Sequence, residues 1–338
     1  MTDQYFCLDI SERFFKVVDA KKDKDTINVT AVGKANTLSE FFPSEAEKSL
    51  DEQANLITQL VGNLKINKKN VNIVIPDSMT YNQILTMPYL NEKELISAIK
   101  YQADQFIPMP IDDTNIDLEI IREFKAEKKL LILIVAAEKK LINKIQTTVE
   151  LAGLIPESIE NELSANARFF SEASKKKTEA DLNQSFFVVN FGFNSSNISY
   201  YEEDSPLLKE SHNLSLGYQL FFKETKVNTG IDEKKTAELL QNYVYGQQSS
   251  YPLEKIVAPL LRELASGIKR FVGTKQATKI YFINQIIYFP GLTSLLQKEL
   301  PMTISTFNPY SLIKLSTTLE GLKYELPLYI STLGGNLR

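Results

Sequence analysis

The feature that most constrains this chain is a pattern that occurs twice. Tyr5 to Ile10 is an apolar run, Phe14 to Ala20 follows across a short gap, and Thr26 to Val32 comes after a charged turn at Lys21–Asp25. Much later the same strand–turn–strand opening returns, with Ser185 to Asn190, a turn at Phe191–Ser196, and Asn197 to Tyr201. Short β-rich runs bounded by polar turns read as strands, and a repeated opening points to an internal duplication. In the first half an amphipathic helix follows, with Leu56, Leu60 and Leu64 at helical spacing beside Ile57 and Val61. Val71 to Ile75 is then a β-branched strand stopped by Pro76. Strands alternating with helices give an α/β fold class.

A different unit begins near Tyr81. Its strand, Asn82 to Met87, ends at Pro88, and Asn91 with Glu94 three residues on forms a capping-box variant. Leu95, Ile99, Ala103 and Phe106 then lay one apolar stripe along a helix that Pro108 and Pro110 stop. Strands over Asn115 to Phe124 and Lys129 to Ala137 flank a charged turn at Lys125–Lys128, and a helix from Glu138 to Leu151 closes the unit at Gly153. Leu130 to Ala137 is the longest apolar run, far short of the ~20 residues that span a bilayer. It is a buried strand. The polar stretch Ser174 to Gln184, with Lys175–Lys177 in a row, reads as a linker and a solvated loop. Beyond the second hairpin, helices are expected at Glu233 to Tyr245 and Leu253 to Val272, a strand at Lys279 to Ile283, and a short apolar helix at Pro327 to Gly334.

Composition removes several chemistries. There is one cysteine, Cys7, and one histidine, His212, so a structural zinc site and an internal disulfide are excluded and any nucleophilic triad would have to run through His212. A net charge of −4 without a basic stripe argues against nucleic acid. The first residues, acidic at Asp3 and Asp9, lack the basic-then-apolar layout of a signal peptide.

Two duplicated hairpins have a chemical logic when read together. In a nucleotide clamp they face one another across the phosphates, offering backbone N–H groups from small residues and a carboxylate for magnesium or water. The residues that carry a resemblance lie along this frame. They are Leu8-Asp9-Ile10 with Lys16, Ile75-Pro76 followed by Leu85-Thr86-Met87-Pro88, and Glu92 through Ala103-Asp104-Gln105-Phe106-Ile107-Pro108-Met109-Pro110-Ile111-Asp112. Further on come Asn190-Phe191-Gly192 through Ser196-Asn197-Ile198, Ala237-Glu238, Pro290-Gly291-Leu292, Asn308-Pro309-Tyr310, and Leu333-Gly334-Gly335 running to Arg338. In order and spacing the chain resembles the PilM family of type IV pilus assembly proteins from Leu8 to Arg338.

The resemblance implies an actin-like, FtsA-type duplicated α/β fold of two lobes, with an inserted α+β subdomain in the first. The first lobe core would take 1–80 and return at 154–184 and at the C-terminus, with the peptide-docking insert at 81–153. The second lobe core would take 185–230 and 276–318, a helical subdomain 231–275, and a C-terminal segment at 319–338 would pack on the first lobe. It implies ATP with Mg in a central cleft, held around Asp9, Ser11, Lys16, Asn190, Gly192, Ser196, Glu238, Asn284 and Gly291. It also implies a partner, the short cytosolic N-terminal tail of the membrane protein PilN, docked between the first lobe and the insert. Other pilus machinery would assemble with the chain, and it would sit in the cytoplasm, recruited to the membrane's inner face without inserting.

Departures gather at the nucleotide. Ser11, Glu12, Arg13 and Phe14 stand where the family has glycine and small hydroxylated residues. Ser11 fits only with negative φ, and Glu12 turns a negative charge toward phosphates. Asn190 replaces an aspartate, Phe193 a small residue, and Asn284, Gln285 and Ile286 three consecutive glycines whose space the nucleotide needs. The expectation is therefore a scaffold with a degraded nucleotide site, no cofactor and no catalytic or metal residue. The retained residues would then be remnants of fold: Gly192 for a tight turn, Asp9 as a satisfied polar group, Glu238 on a solvated helix. The alternative is a working ATP-dependent switch with weak ATPase activity. A sugar or acetate kinase would need a catalytic acid that the sequence does not offer, and an FtsA-like filament former would want a C-terminal membrane helix longer than Leu333 to Arg338. Met87, Tyr89, Tyr101, Phe106, Ile107 and Met109 form an adaptable aromatic group in the insert. With Ile99 and Phe106 assigned to the core, Tyr89, Tyr101 and Met109 are the expected partner-binding residues.

Overall fold

The computed structural model describes residues 5–23, 26–175, 182, 184–203, 207–247 and 249–338, without the side chains of 92, 100 and 102–106. The expected linker at 174–184 falls mostly outside the described residues, as do the side chains of Ala103 and Phe106. The chain divides into two compact units, one of Met1–Phe169, Leu207–Ser211 and Ser331–Arg338, the other of Phe170–Pro206 and His212–Ile330.

The first unit opens with β1 (Tyr5–Ile10), β2 (Phe14–Asp23) and β3 (Thr26–Asn36), then α1 (Glu47–Asn63) and β4 (Asn70–Ile75). The sequence stops the second strand at Ala20, but Lys21, Lys22 and Asp23 keep pairing with Asn28, Ile27 and Thr26. Charged residues are compatible with a ladder there because their side chains are exposed. The insert supplies β5 (Tyr81–Pro88), α2 (Glu92–Phe106), β6 (Thr114–Phe124), β7 (Lys129–Glu138) and α3 (Lys139–Leu151). Next come β8 (Ile155–Asn161) and α4 (Glu162–Ser174), neither of which the periodicity announces. The main sheet runs β3-β2-β1-β4-β8, antiparallel within the hairpins and parallel from β1 to β4 to β8.

Within the insert the order is β5-β7-β6. The expected apolar strand is central β7, whose Leu130, Ile132 and Ile134 pack with Leu95 and Ile99 of α2. The capping box forms as read, with the Asn91 N–H donating to Glu94 Oε2 at 3.0 Å and the Glu94 N–H donating to Asn91 Oδ1 at 3.1 Å. Helix α3 turns Ile145 and Val149 into the cluster that holds Ile57 and Val61 of α1 and Ile73 of β4. It is thus anchored on the main sheet's core while remaining continuous with the insert.

In the second unit β9 (Phe186–Phe191) and β10 (Ser196–Glu202) form the hairpin. β11 (Leu207–Leu214) follows, its residues through Ser211 belonging to the first unit, and then come α5 (Tyr218–Thr229), α6 (Glu233–Gln241) and α7 (Leu253–Val272). Then come β12 (Lys279–Asn284), α8 (Gly291–Leu296) and β13 (Thr303–Thr306). β10-β9-β12-β13 are neighbours in that order, with β9 antiparallel to β10 and parallel to β12. A hairpin feeding a parallel strand is also how the first unit begins, so the duplication is structural. The expected helix to Tyr245 ends at Gln241, and the terminal one is shifted: a 3-10 turn at Leu326–Tyr329 precedes α9 (Ile330–Gly335).

Residues Ser331–Arg338 belong to the first unit, where side-chain bonds fasten them. Asn336 accepts from the Ala20 N–H at 3.1 Å and donates to the Val18 carbonyl at 2.9 Å, completing β2 at its bulge. Arg168 donates to Glu160 at 2.7 and 2.8 Å and to the Gly334 carbonyl at 3.1 Å. Among the described residues no helix is long and apolar enough to cross a membrane.

Candidate functional site

A groove of about 620 Å³ opens in the first unit. One wall comes from the β3–α1 connection, with Phe42, Pro43 and Glu45, and from Leu50 in the first turn of α1, and Met79 adds to it from the 3-10 turn Asp77–Met79. The facing wall is the outer side of α3, with Lys140, Leu141, Asn143, Lys144 and Thr147, begun by Glu138. Phe42, Pro43, Leu50, Met79 and Leu141 give it an apolar lining, and charged heads stand at the rim.

Lys144 holds the walls together. Its Nζ donates to the Phe42 carbonyl at 3.1 Å and to the Ser44 carbonyl, and it lies 5.5 Å from the centre of the Phe41 ring. Burial lowers its pKa, with Glu45 opposing. Charge-assisted bonds of this kind outweigh neutral ones. By contrast Lys140 and Glu45, 3.4 Å apart and both exposed, contribute little to stability and leave their charges available to a ligand.

The three residues expected at the partner surface stand elsewhere in the insert. Tyr89 and Tyr101 are exposed, and Met109 is half-buried against Ile107, Ala136 and Tyr81. None lines the groove. The groove residues escaped sequence reading because they come from three separate stretches. The available signal was weak: α3 carries Leu141 among Lys140, Asn143, Lys144 and Thr147, which reads as a solvated face.

The first hairpin is closed by its own contacts. Asp9 and Lys16 are register partners on β1 and β2, fully buried, with Oδ2 and Nζ 2.7 Å apart. Ser11 Oγ donates to Asp9 Oδ1, and the Ser11 carbonyl accepts from Thr37 Oγ1 at 2.7 Å. Ser11 is not among the described residues with positive φ, so serine meets the condition for replacing glycine there. Glu12 Oε1 accepts from Ser78 Oγ.

The second hairpin is docked on α5. The Tyr218 N–H donates to the Gly192 carbonyl and the Gln219 N–H to the Phe193 carbonyl, each at 2.9 Å. Those N–H groups are the ones a helix start would otherwise offer to an anion. A Cβ on Gly192 would lie 2.6 Å from the Ser195 carbonyl oxygen, and one on Gly217 2.4 Å from that of Phe193, so both positions need glycine for close approach. Phe193 stacks on Tyr218 with ring centres 6.4 Å apart. Ser196 Oγ donates to the Leu216 carbonyl at 2.6 Å.

The adenosine-loop residues are also absorbed within this unit. Asn284 has φ +70° and ψ −124°, keeping the glycine-type backbone without glycine, and its Nδ2 donates to Asn190 Oδ1 at 2.9 Å. Gln285 is buried, and Ile286 packs into the core with Phe289 and Leu292. Gly291 packs on Tyr243, where a Cβ would meet ring and carbonyl at 2.5 and 2.7 Å. Glu238 is exposed on α6. The sequence-derived set is therefore two hairpin groups, Asp9–Ser11–Lys16 and Asn190–Asn284 with Gly192 and Ser196, plus two outliers. Within each unit the hairpin's Asp9, Ser11, Ser196 and Asn190 side chains are engaged by partners of the same unit.

Comparison with known proteins adds the family. The model of the family described as type IV pilus assembly protein PilM matches residues 7–338. Among solved structures, the PilM-PilN type IV pilus biogenesis complex is 19% identical and superposes with a TM-score of 0.83, covering 99% of this chain and 98% of that one. The ethanolamine utilization protein EutJ from Carboxydothermus hydrogenoformans is 11% identical, with a TM-score of 0.53 over 98% of this chain and 88% of that one. A Bacteroides thetaiotaomicron protein of unknown function with an actin-like ATPase fold is 11% identical, with a TM-score of 0.51 over 97% of this chain and 96% of that one. At these identities the likeness shows the fold, which is actin-like.

Proposed function

Because this chain belongs to the type IV pilus assembly protein PilM family, we propose that it is a scaffold of pilus assembly that receives the N-terminal cytosolic tail of a PilN partner in the groove beside α3. The observation that carries this reading is the groove itself: an apolar lining of peptide-binding size, walled on one side by the insert's helix and braced by Lys144. A similar structure was solved as a PilM–PilN complex. A preformed groove adds no ordering cost of its own when a short tail enters it. The protein would act at the inner face of the cytoplasmic membrane through this partner, in company with other pilus machinery and without a membrane span of its own.

In this reading the actin-like fold is kept as a frame and ATP with Mg takes no part. Support comes from the hairpins, where Asp9 is consumed by Lys16 and the start of α5 by the carbonyls of Gly192 and Phe193. Titrating a synthetic peptide with the N-terminal residues of the cognate PilN into the full chain tests the docking. Wild-type protein binds with a single site, and Leu141→Arg, which puts a charge into the lining, abolishes binding. Because Leu141 also packs on the core cluster, exposed Thr147→Arg on the same helix is run beside it and is expected to weaken binding with the fold intact. Unaltered binding by Leu141→Arg would move the site elsewhere, with the Tyr89–Tyr101 surface next to be mapped.

A further inference from the structure

The turn that supplies Met79 to the groove is bolted from behind by groups that docking does not use. Asp77 Oδ1 accepts from the Leu163 N–H at 3.0 Å, and the Asp77 N–H donates back to Glu162 Oε2 at 3.4 Å. Ser78 Oγ donates to Glu12 Oε1 at the tip of the first hairpin, and Thr80 Oγ1 accepts from Asn161 Nδ2 at 3.5 Å. Inside the turn, the Met79 N–H donates to the Pro76 carbonyl at 3.1 Å and the Thr80 N–H to that of Asp77 at 3.2 Å. These two backbone bonds tie Pro76 and Asp77 to Met79 and Thr80, so a shift at Asp77 is passed to Met79.

We propose that the Asp77–Met79 turn is a latch through which the buried carboxyl cluster of Asp9, Asp77 and Glu162 sets the groove's affinity for its peptide. The inference rests on the groove being the docking site. Glu162 is the titrating member. It is buried at the start of α4, facing Asp77 from the turn and Asp9, Glu12 and Lys16 from the hairpin, while Glu160 on the preceding strand is engaged by Arg168. Burial first, then the charges of Asp9 and Asp77, push its carboxyl up to about 8, with Lys16 opposing. Toward acid the protonated form is the favoured one, and it sits against Asp77 without added repulsion. Above its titration range Glu162 carries a negative charge toward the Asp77 and Asp9 carboxyls, repulsion between the side chains displaces Asp77 from the Leu163 N–H, and Met79 leaves its place in the wall. Glu12, the residue that departs most from a phosphate hairpin, becomes the strut holding the turn's exposed side.

Peptide affinity of the full chain is measured at about pH 6.5 and about pH 9 for wild type, Glu162→Gln and Ser78→Ala. Wild-type affinity falls at least about three-fold across that range, as the competent fraction of the groove falls. Glu162→Gln, neutral at every pH, loses most of this fall, and Ser78→Ala binds more weakly at both pH values while keeping it. The peptide's own α-amino group titrates in the same range but is common to all arms. Equal slopes in wild type and Glu162→Gln overturn the latch. If wild type binds at neither pH, the groove reading fails instead, and the latch is judged on amide exchange at Met79 to Tyr81. Exchange there must rise with pH in wild type and stay level in Glu162→Gln, and exchange that is level in both overturns it.

Discussion

Lys144 of α3 donates to the carbonyl oxygen of Phe42 at 3.1 Å, so one ammonium group ties the insert's last helix to the loop that faces it. The same Nζ also reaches the Ser44 carbonyl, and the two acceptors bracket Pro43, a lining residue. The groove's width is therefore set by a side chain, whereas its floor is set by packing of α3 on α1.

Lys144→Met keeps the aliphatic stem and removes the donor. Two carbonyls lose a charged partner, each bond of the kind contributing roughly 1–3 kcal/mol where it is shielded from water. Half-exposure of the site puts the outcome at the low end, with peptide affinity falling about ten-fold and the unfolding temperature by a few degrees. Calorimetric titration together with thermal unfolding checks this. Unchanged affinity would mean that the loop holds its place without Lys144.

The buried Asp9–Lys16 pair makes a sharper case. Removing one partner of a buried pair leaves the other charge uncompensated and costs about 3–5 kcal/mol, whereas replacing both with apolar groups is often close to neutral. Lys16→Met is thus expected to lower the urea midpoint strongly, and Asp9→Leu combined with Lys16→Met to recover much of the loss. If the double variant is as unstable as the sum of the singles, the pair is held by more than mutual charge.

Glu162 gives a pH dependence of definite sign. Its carboxyl titrates at about 8 in the folded chain against an ordinary 4.5, so between those values the native state keeps a proton that the unfolded state has released. Stability due to this group is largest below about pH 4.5 and declines as pH rises to about 8, by at most about 1.4 kcal/mol per pH unit. Urea midpoints of wild type and Glu162→Gln from about pH 5 to pH 8 should converge toward acid and separate toward alkali, the variant being the more stable at pH 8. Parallel curves would show that Glu162 is ionised throughout.

Glycine positions separate close approach from mere presence. Gly217→Ala would set a Cβ 2.4 Å from the Phe193 carbonyl oxygen, so either the hairpin lifts off α5 or the helix start unwinds. A loss of about 2–4 kcal/mol is expected, in the range of overpacked or broken backbone contacts. Gly62→Ala on α1, where nothing lies within 4 Å of the added carbon, is the control. It should be neutral or stabilise by up to about 1 kcal/mol. Denaturant unfolding of both variants decides it, and equal effects would remove the hairpin–α5 contact from the argument.

How much of this was legible in the residues follows from where each signal resides. Helix α7 is read at Leu253–Val272 because its apolar residues recur at helical spacing, and β7 because an apolar run bounded by charge has one plain reading. β8 was missed because it carries Pro156, Glu157 and Glu160 and is buried only toward its end. Helix α4 was missed because it is buried nearly all round, with Ser164 and Asn166 inside, which leaves no polar face to define a period. Asp9 and Lys16 stood out only through the resemblance to a phosphate hairpin, and the register and the 2.7 Å contact show that they neutralise each other. The groove was invisible because Leu50, Met79 and Leu141 share no motif; folding alone brings them together.

The nucleotide question is settled by a ligand that would bind the native state only. A site filled at ~100 times its dissociation constant stabilises the fold by ~2.7 kcal/mol, enough for a clear rise in the unfolding temperature of a chain this size. The first hairpin offers Asp9 already paired at 2.7 Å, and the second has its carbonyls on the first N–H groups of α5. A phosphate at the first hairpin would compete with a buried ion pair, and one at the second with bonds that already cap α5. Thermal unfolding with millimolar Mg-ATP is therefore expected to match unfolding without it, and the cognate PilN peptide to raise the midpoint in the same buffer. A rise with Mg-ATP alone would make the chain a nucleotide-dependent coupler and assign the Asp9–Lys16 pair to a resting state that ATP opens.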